Sequence, residues 1–265
     1  MLPTFFIAHG APSLAIEQHA YTEFLRKLAV SIPTPKAIVV FSAHWESAVQ
    51  KISSAVEPEM IYDFSGFSEK LYDINYPAKG DVTLSLHIQQ LFEQEGIRCK
   101  LDDRRGLDHG TWSPLSIMYP DAQIPVVTLS VNPRLTPEEH YRIGAALGAL
   151  RDEEVLIIGS GGTVHNLQRL DTNNPVPQIW AVEFDEWLAE QLETWNIEAL
   201  IRYDERAPHA REAVPTPEHF VSLLIAFGAG DASRSAKLLH HSFQMGTLSL
   251  CCWMFGSLKE SKQAP

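Results

Sequence analysis

Short apolar, β-branched runs recur along the chain, at residues 4–8, 37–42, 125–131, 155–159 and 247–254. Runs of that length suit strands buried on both faces better than helices. Between them lie stretches with apolar residues at three- and four-residue spacing: 20–32, 81–96, 135–152, 177–195 and 215–230. The stretch 135–152 opens with Thr136, Pro137 and Glu139, a capping box with proline at the first helical position. Strand–helix alternation predicts an α/β fold. The expected architecture is a central mixed, largely parallel sheet covered by helices on both faces.

At 265 residues the chain is long enough for one large α/β domain with a well-buried core, or for two small domains. The expected domain spans residues 1–256, and residues 257–265 read as a polar C-terminal tail. Two segments, 56–80 and 102–122, are rich in Pro, Gly, Asp and aromatics and read as long loops. Loops of that length inside a domain tend to carry function.

The formal net charge of −12 argues against nucleic acid as a partner, since phosphate binding needs clustered Lys and Arg. No apolar stretch is long enough to span a bilayer, so no membrane partner is expected. The opening "MLPTFFIAHG" lacks a basic leader and a small-residue cleavage site. The three cysteines, Cys99, Cys251 and Cys252, have no framework spacing and fit free thiols. The expectation is a cytoplasmic protein, a monomer or a homodimer.

Three apolar runs deliver a histidine just past their ends: "TFFIAHG" gives His9, "IVVFSAHW" gives His44, and "LIIGSGGTVHN" gives His165. In open α/β sheets, ligands bind beyond the carboxyl ends of the strands. One histidine there is an ordinary capping residue; three suggest convergence on one ligand. Neutral imidazole is the commonest metal-ligating side chain and suits iron, zinc and copper. His109, in "GLDHGTWSP", and His219, in "PTPEHF", are weaker locally. A turn role explains the first as well, and the near-copy "LTPEEHY" around His140 marks Thr-Pro-Glu-His partly as a good helix start. His19, His87 and His140 sit within helix patterns and read as surface or partly buried, His209 lies in a charged loop, and His240 and His241 form a pair between a helix and the last strand.

Taken in order, "AHGAP", "SAHW", "DFSGF", "LYDINYPA", "GLDHGTWSPL", "YPDAQIPVVTLSV", "IIGSGGTVHNL" and "TPEHF" closely resemble the class III extradiol ring-cleavage dioxygenases, in their 4,5-DOPA dioxygenase-like branch. The resemblance runs from about residue 3 to 256. It implies a mononuclear non-haem Fe(II) site, with Zn(II) as another occupant, that cleaves a catechol-type substrate with O2. By the matching motifs, His9, His44 and His219 would be metal ligands. His165 would lie beside the metal, as a further ligand or as the acid–base group. His109 would line the catechol and oxygen pocket and is the second catalytic candidate. The protocatechuate-cleaving branch uses two His and a Glu, so Glu218 is the fallback for His219. Asp108, Ser42 and Asn166 are candidates to orient the imidazoles, and Trp45, Tyr72 and Trp112 to wall the pocket. Two alternatives stay open: a zinc-dependent hydrolase, and a metal-binding relative without catalysis.

Overall fold

A computed structural model describes residues 1–173 and 176–258. The strands are β1 (Thr4–Ala8), β2 (Ala37–Glu46), β3 (Gln50–Ser53), β4 (Cys99–Asp102), β5 (Val126–Val131), β6 (Val155–Gly161), β7 (Ala236–Gln244) and β8 (Leu248–Phe255). They form one sheet in the order β4-β3-β5-β2-β6-β1-β8-β7. The middle of it, β5-β2-β6-β1, is parallel. β3 runs antiparallel to β5, β8 to β1 and β7 to β8. The expected single-domain α/β architecture with a mixed, largely parallel sheet is therefore the observed one.

The helices are α1 (Ala20–Ser31), α2 (Val82–Gln94), α3 (His109–Met118), α4 (Pro137–Ala146), α5 (Ile179–Glu193), α6 (Ile197–Leu200), α7 (Tyr203–Arg206), α8 (Ala210–Ala213) and α9 (Glu218–Ala229). They cover both sheet faces, which gives two apolar clusters. One holds Phe5, Ile7, Val40, Trp112 and Phe184; the other holds Val39, Phe41, Ile88, Val127 and Ile157. Successive residues of β2 feed opposite clusters, as the two-residue period of a strand requires.

The Thr136–Glu139 capping box forms both of its bonds, Glu139 N–H to Thr136 Oγ1 at 3.2 Å and Thr136 N–H to Glu139 Oε2 at 2.7 Å. The helix expected over 135–152 is shorter: after α4 the chain tightens into a 3₁₀ segment, Gly148–Glu153. The segment 102–122, expected as a loop, contains α3. Gly110 and Pro114 hide it in the sequence. Asp108 caps it by accepting from Thr111 N–H at 3.1 Å, and Pro114 falls within its second turn. β3, β4 and β7 also escape the sequence reading, because they are short or carry mixed polar residues. The tail expected at 257–265 falls, from residue 259 on, outside the described residues.

Helix α9 is apolar all round, and His219 through Ala229 are buried. Such a helix belongs inside a core, and its residues feed both apolar clusters. It lies close on β6. A Cβ added to Gly161 would stand 2.0 Å from the His219 carbonyl oxygen, so only glycine permits this approach.

Candidate metal centre

Five elements meet beyond the carboxyl ends of the parallel strands. His9 directly follows β1. His44 lies near the end of β2, in a register shift between Phe41 and Glu46. Pairing with β5 stops at Phe41 and resumes at Glu46, and pairing with β6 stops at Ser42. An irregularity of this kind re-aims a side chain, and here it frees His44. His109 opens α3, His165 lies past β6, and His219 sits in the first turn of α9.

These histidines form one cluster. Ring centroids of His9 lie 4.8 Å from His44 and 5.2 Å from His219, and His44 lies 5.0 Å from His219. His109 joins at 4.0 Å from His44. His165 stacks on His219 at 3.5 Å with planes only 10° apart. Ligand atoms of His9, His44 and His219 all lie within 4.8 Å of one another. The same limit holds for His44, Asp63 and His109, and for His165, Glu218 and His219.

The hydrogen bonds fix which ring nitrogens carry lone pairs. Ser160 Oγ donates to the Gly110 carbonyl. Its hydrogen is thereby used, so it accepts from His9 Nδ1–H at 2.9 Å. His219 Nδ1 lies 3.1 Å from Glu218 Oε1, and His44 Nδ1 lies 3.3 Å from Asp63 Oδ2. A carboxylate only accepts, so the hydrogen bond to Glu218 puts the His219 proton on Nδ1, and the negative charge of Asp63 beside His44 Nδ1 favours the same form there. The three Nε2 lone pairs then converge. Nε2 of His9 and His44 stand 3.0 Å apart, and Nε2 of His219 is buried with no hydrogen-bond partner among the described residues. Facing lone pairs repel unless a cation sits between them. Two nitrogens each about 2.1 Å from one ion, at a right angle, would stand about 3.0 Å apart. The donor set thus fits a divalent cation, with outer groups on every Nδ1 as metal-bound imidazoles usually have.

Electrostatics agree. Burial first, then the neighbouring imidazoles, push His9 and His44 well below the ordinary histidine range. They stand neutral, as ligands must. Burial would raise the Glu218 carboxyl, but hydrogen bonds led by His219 hold it at about 2. Burial likewise opposes ionisation of Asp63, and His109 outweighs it.

The orienting groups differ from those expected. Asp108 and Ser42 bond each other at 2.6 Å, and Ser42 Oγ also accepts from the His44 backbone N–H. Arg105 pairs with Asp108 and donates to the His44 carbonyl. They hold backbone, not imidazoles. Asn166 caps its own turn and bonds the Glu212 carbonyl. The groups on the rings are Ser160, Asp63 and Glu218. Sequence reasoning missed the first two. Ser160 is one small residue in a glycine-rich strand end. Asp63 lay in the quoted "DFSGF" string with no role. Tyr72 and Trp112 pack behind Phe64, whose ring stands 5.8 Å from His109. Trp45 packs under the Arg105 guanidinium. Outside the cluster, His140 is fully buried, not superficial, and neither ring nitrogen has a partner.

Comparison with known proteins places these features in context. Residues 3–256 match the family model described as the catalytic LigB subunit of aromatic ring-opening dioxygenase. The 4,5-DOPA dioxygenase extradiol of Beta vulgaris is 40% identical over 258 residues, covering 96% of each chain. The protein of that name from Escherichia coli K12 is 36% identical, covering 96% of this chain and 95% of its own. A crystal structure of an uncharacterized Escherichia coli K12 protein superposes with a TM-score of 0.83 at 33% identity. It covers 97% of this chain and 100% of its own.

Proposed function

Since the chain belongs to the LigB family and is an extradiol dioxygenase, we propose that it opens a catechol-type, DOPA-like ring with O2 at a mononuclear non-haem metal held by His9, His44 and His219. The observation that carries this reading is the meeting of three imidazole lone pairs at one point, two of them 3.0 Å apart. Fe(II) is the metal the oxygen chemistry calls for, and Zn(II) suits the same nitrogens. When bound, such a metal would hold catechol and dioxygen together and pass electrons from the ring to dioxygen.

The chain's own residues supply the rest. His165 is read as an acid–base group. It stacks face to face on His219 with ring centroids 3.5 Å apart, and it is not part of the His9, His44 and His219 set whose ligand atoms meet. Burial first, then His219, lower His165 to about 3, so it is neutral at pH 7 and free to take a catechol proton. An anionic oxygen beside it would raise its basicity. His109 Nδ1 is tied to Asp63 at 2.9 Å, which leaves Nε2 to accept or return a proton across the pocket. Phe64 closes that side with an apolar edge. Glu218 and Asp63 put two carboxylates behind neutral ligands, and these offset the charge of a divalent ion.

Among the described residues no helix is long and apolar enough to cross a membrane. The cysteines are free, which suits a reducing cytoplasmic setting.

Iron-loaded protein mixed with a catechol in the absence of oxygen, then exposed to it, tests the proposal. One O2 should be consumed per ring opened, and the product mass should equal substrate plus two oxygen atoms. Hydrolytic turnover with zinc and no oxygen uptake would overturn it.

A further inference from the structure

Asp63 belongs to neither a strand nor a helix, yet its carboxylate touches two histidines that come from different elements. Oδ1 accepts from His109 Nδ1 at 2.9 Å and from the His109 backbone N–H at 3.0 Å. Oδ2 lies 3.3 Å from His44 Nδ1. Among the clustered histidines the two rings are the nearest pair after the His165–His219 stack, with centroids 4.0 Å apart. The segment bearing Asp63 is itself fixed. Ile61 N–H bonds the Leu107 carbonyl at 2.8 Å, and Trp112 Nε1–H bonds the Ile61 carbonyl at 3.1 Å.

We infer that Asp63 is a positioning residue that holds His44 and His109 in the same tautomer at once, so that a metal ligand and a proton-handling group both turn Nε2 toward one space. The inference rests on the ligand set proposed above and adds a residue to it. Its physical basis is that a carboxylate has acceptor sites only. His109 therefore presents Nδ1–H to it and cannot turn its ring without losing that hydrogen bond, while His44, held against the other oxygen by an ion-pair contact at 3.3 Å, is favoured with its proton on the same nitrogen. An amide cannot replace it. Its oxygen accepts from one ring, while its NH2 donates to the other and demands the opposite tautomer there. That ring would then aim an N–H at the cluster. On His44 this blocks ligation; on His109 it removes the proton acceptor.

Nitrogen-15 NMR of the imidazoles reads the tautomers directly, in the metal-free and the zinc-loaded wild type. Both His44 and His109 should carry the proton on Nδ1; either one found as Nε2–H overturns the inference. In Asp63→Asn one of the two should switch to Nε2–H, and the zinc dissociation constant should rise about 10- to 100-fold. Asp63→Glu should recover part of that loss. An Asn variant that binds zinc as wild type does, with both tautomers unchanged, would also overturn it. A wild type that binds neither zinc nor iron would instead sink the metal reading, and the tautomers would still decide the role of Asp63. The wild-type measurement needs no variant to fold.

Discussion

Nε2 of His44 stands 3.0 Å from Nε2 of His9; His9 Nδ1 is hydrogen-bonded to Ser160 Oγ, and His44 Nδ1 lies against the Asp63 carboxylate. Without a cation between them the pair is electrostatically unfavourable. Metal should therefore stabilise the fold. Zinc at 100 times its dissociation constant adds about 2.7 kcal/mol. Thermal unfolding of the wild type should rise on adding zinc and fall again with a chelator. His9→Ala, His44→Ala and His219→Ala should each lose metal by elemental analysis, lose turnover, and show no such response.

His165→Ala separates ligation from proton transfer. The stacked geometry predicts that the variant keeps its metal, while turnover falls about 10²- to 10⁴-fold. Anaerobic catechol binding should change little. Metal content and single-turnover rates check this, and loss of metal would make His165 a ligand.

Gly161→Ala tests the approach of α9 to β6. The new methyl would meet the His219 carbonyl oxygen and Ser222 Oγ, both well inside contact distance. Overpacking of this kind costs about 1–3 kcal/mol. Urea midpoints should drop, and zinc affinity should fall with them, because the shift moves the residue that bears Nε2.

His140 gives a pH dependence independent of the metal cluster. Burial pulls it down to about 4, against about 6.5 in the unfolded chain. Between those values the unfolded state binds more protons, so stability falls as pH drops from about 6.5 to about 4. Above that window His140 contributes no slope. Its share is at most about 3 kcal/mol. Urea midpoints of His140→Leu should fall less between pH 7 and 4.5 than those of the wild type.

The sheet core was legible because β1, β2, β5, β6 and β8 are apolar on both faces, a pattern strand burial imposes on sequence. β7 was not: as an edge strand it alternates polar residues, including His240 and His241, and carries no apolar run. α3 was hidden because Pro114 reads as a helix breaker; it forfeits the bond to the Gly110 carbonyl, and the Ser160 hydroxyl donates to that oxygen instead. The histidines could be picked out by their position after strands. Asp63 and Ser160 could not, since nothing in a single sequence announces an oxygen that acts across space on a remote ring.

Among the described elements, the three converging imidazoles follow the first strand, lie on the second strand and open the last helix. A ribosome must therefore release the chain past residue 219 before the triad can close. Partly synthesised chains would offer passing ions only isolated histidines, so capture of the cation and completion of the fold become one event in the protein's birth.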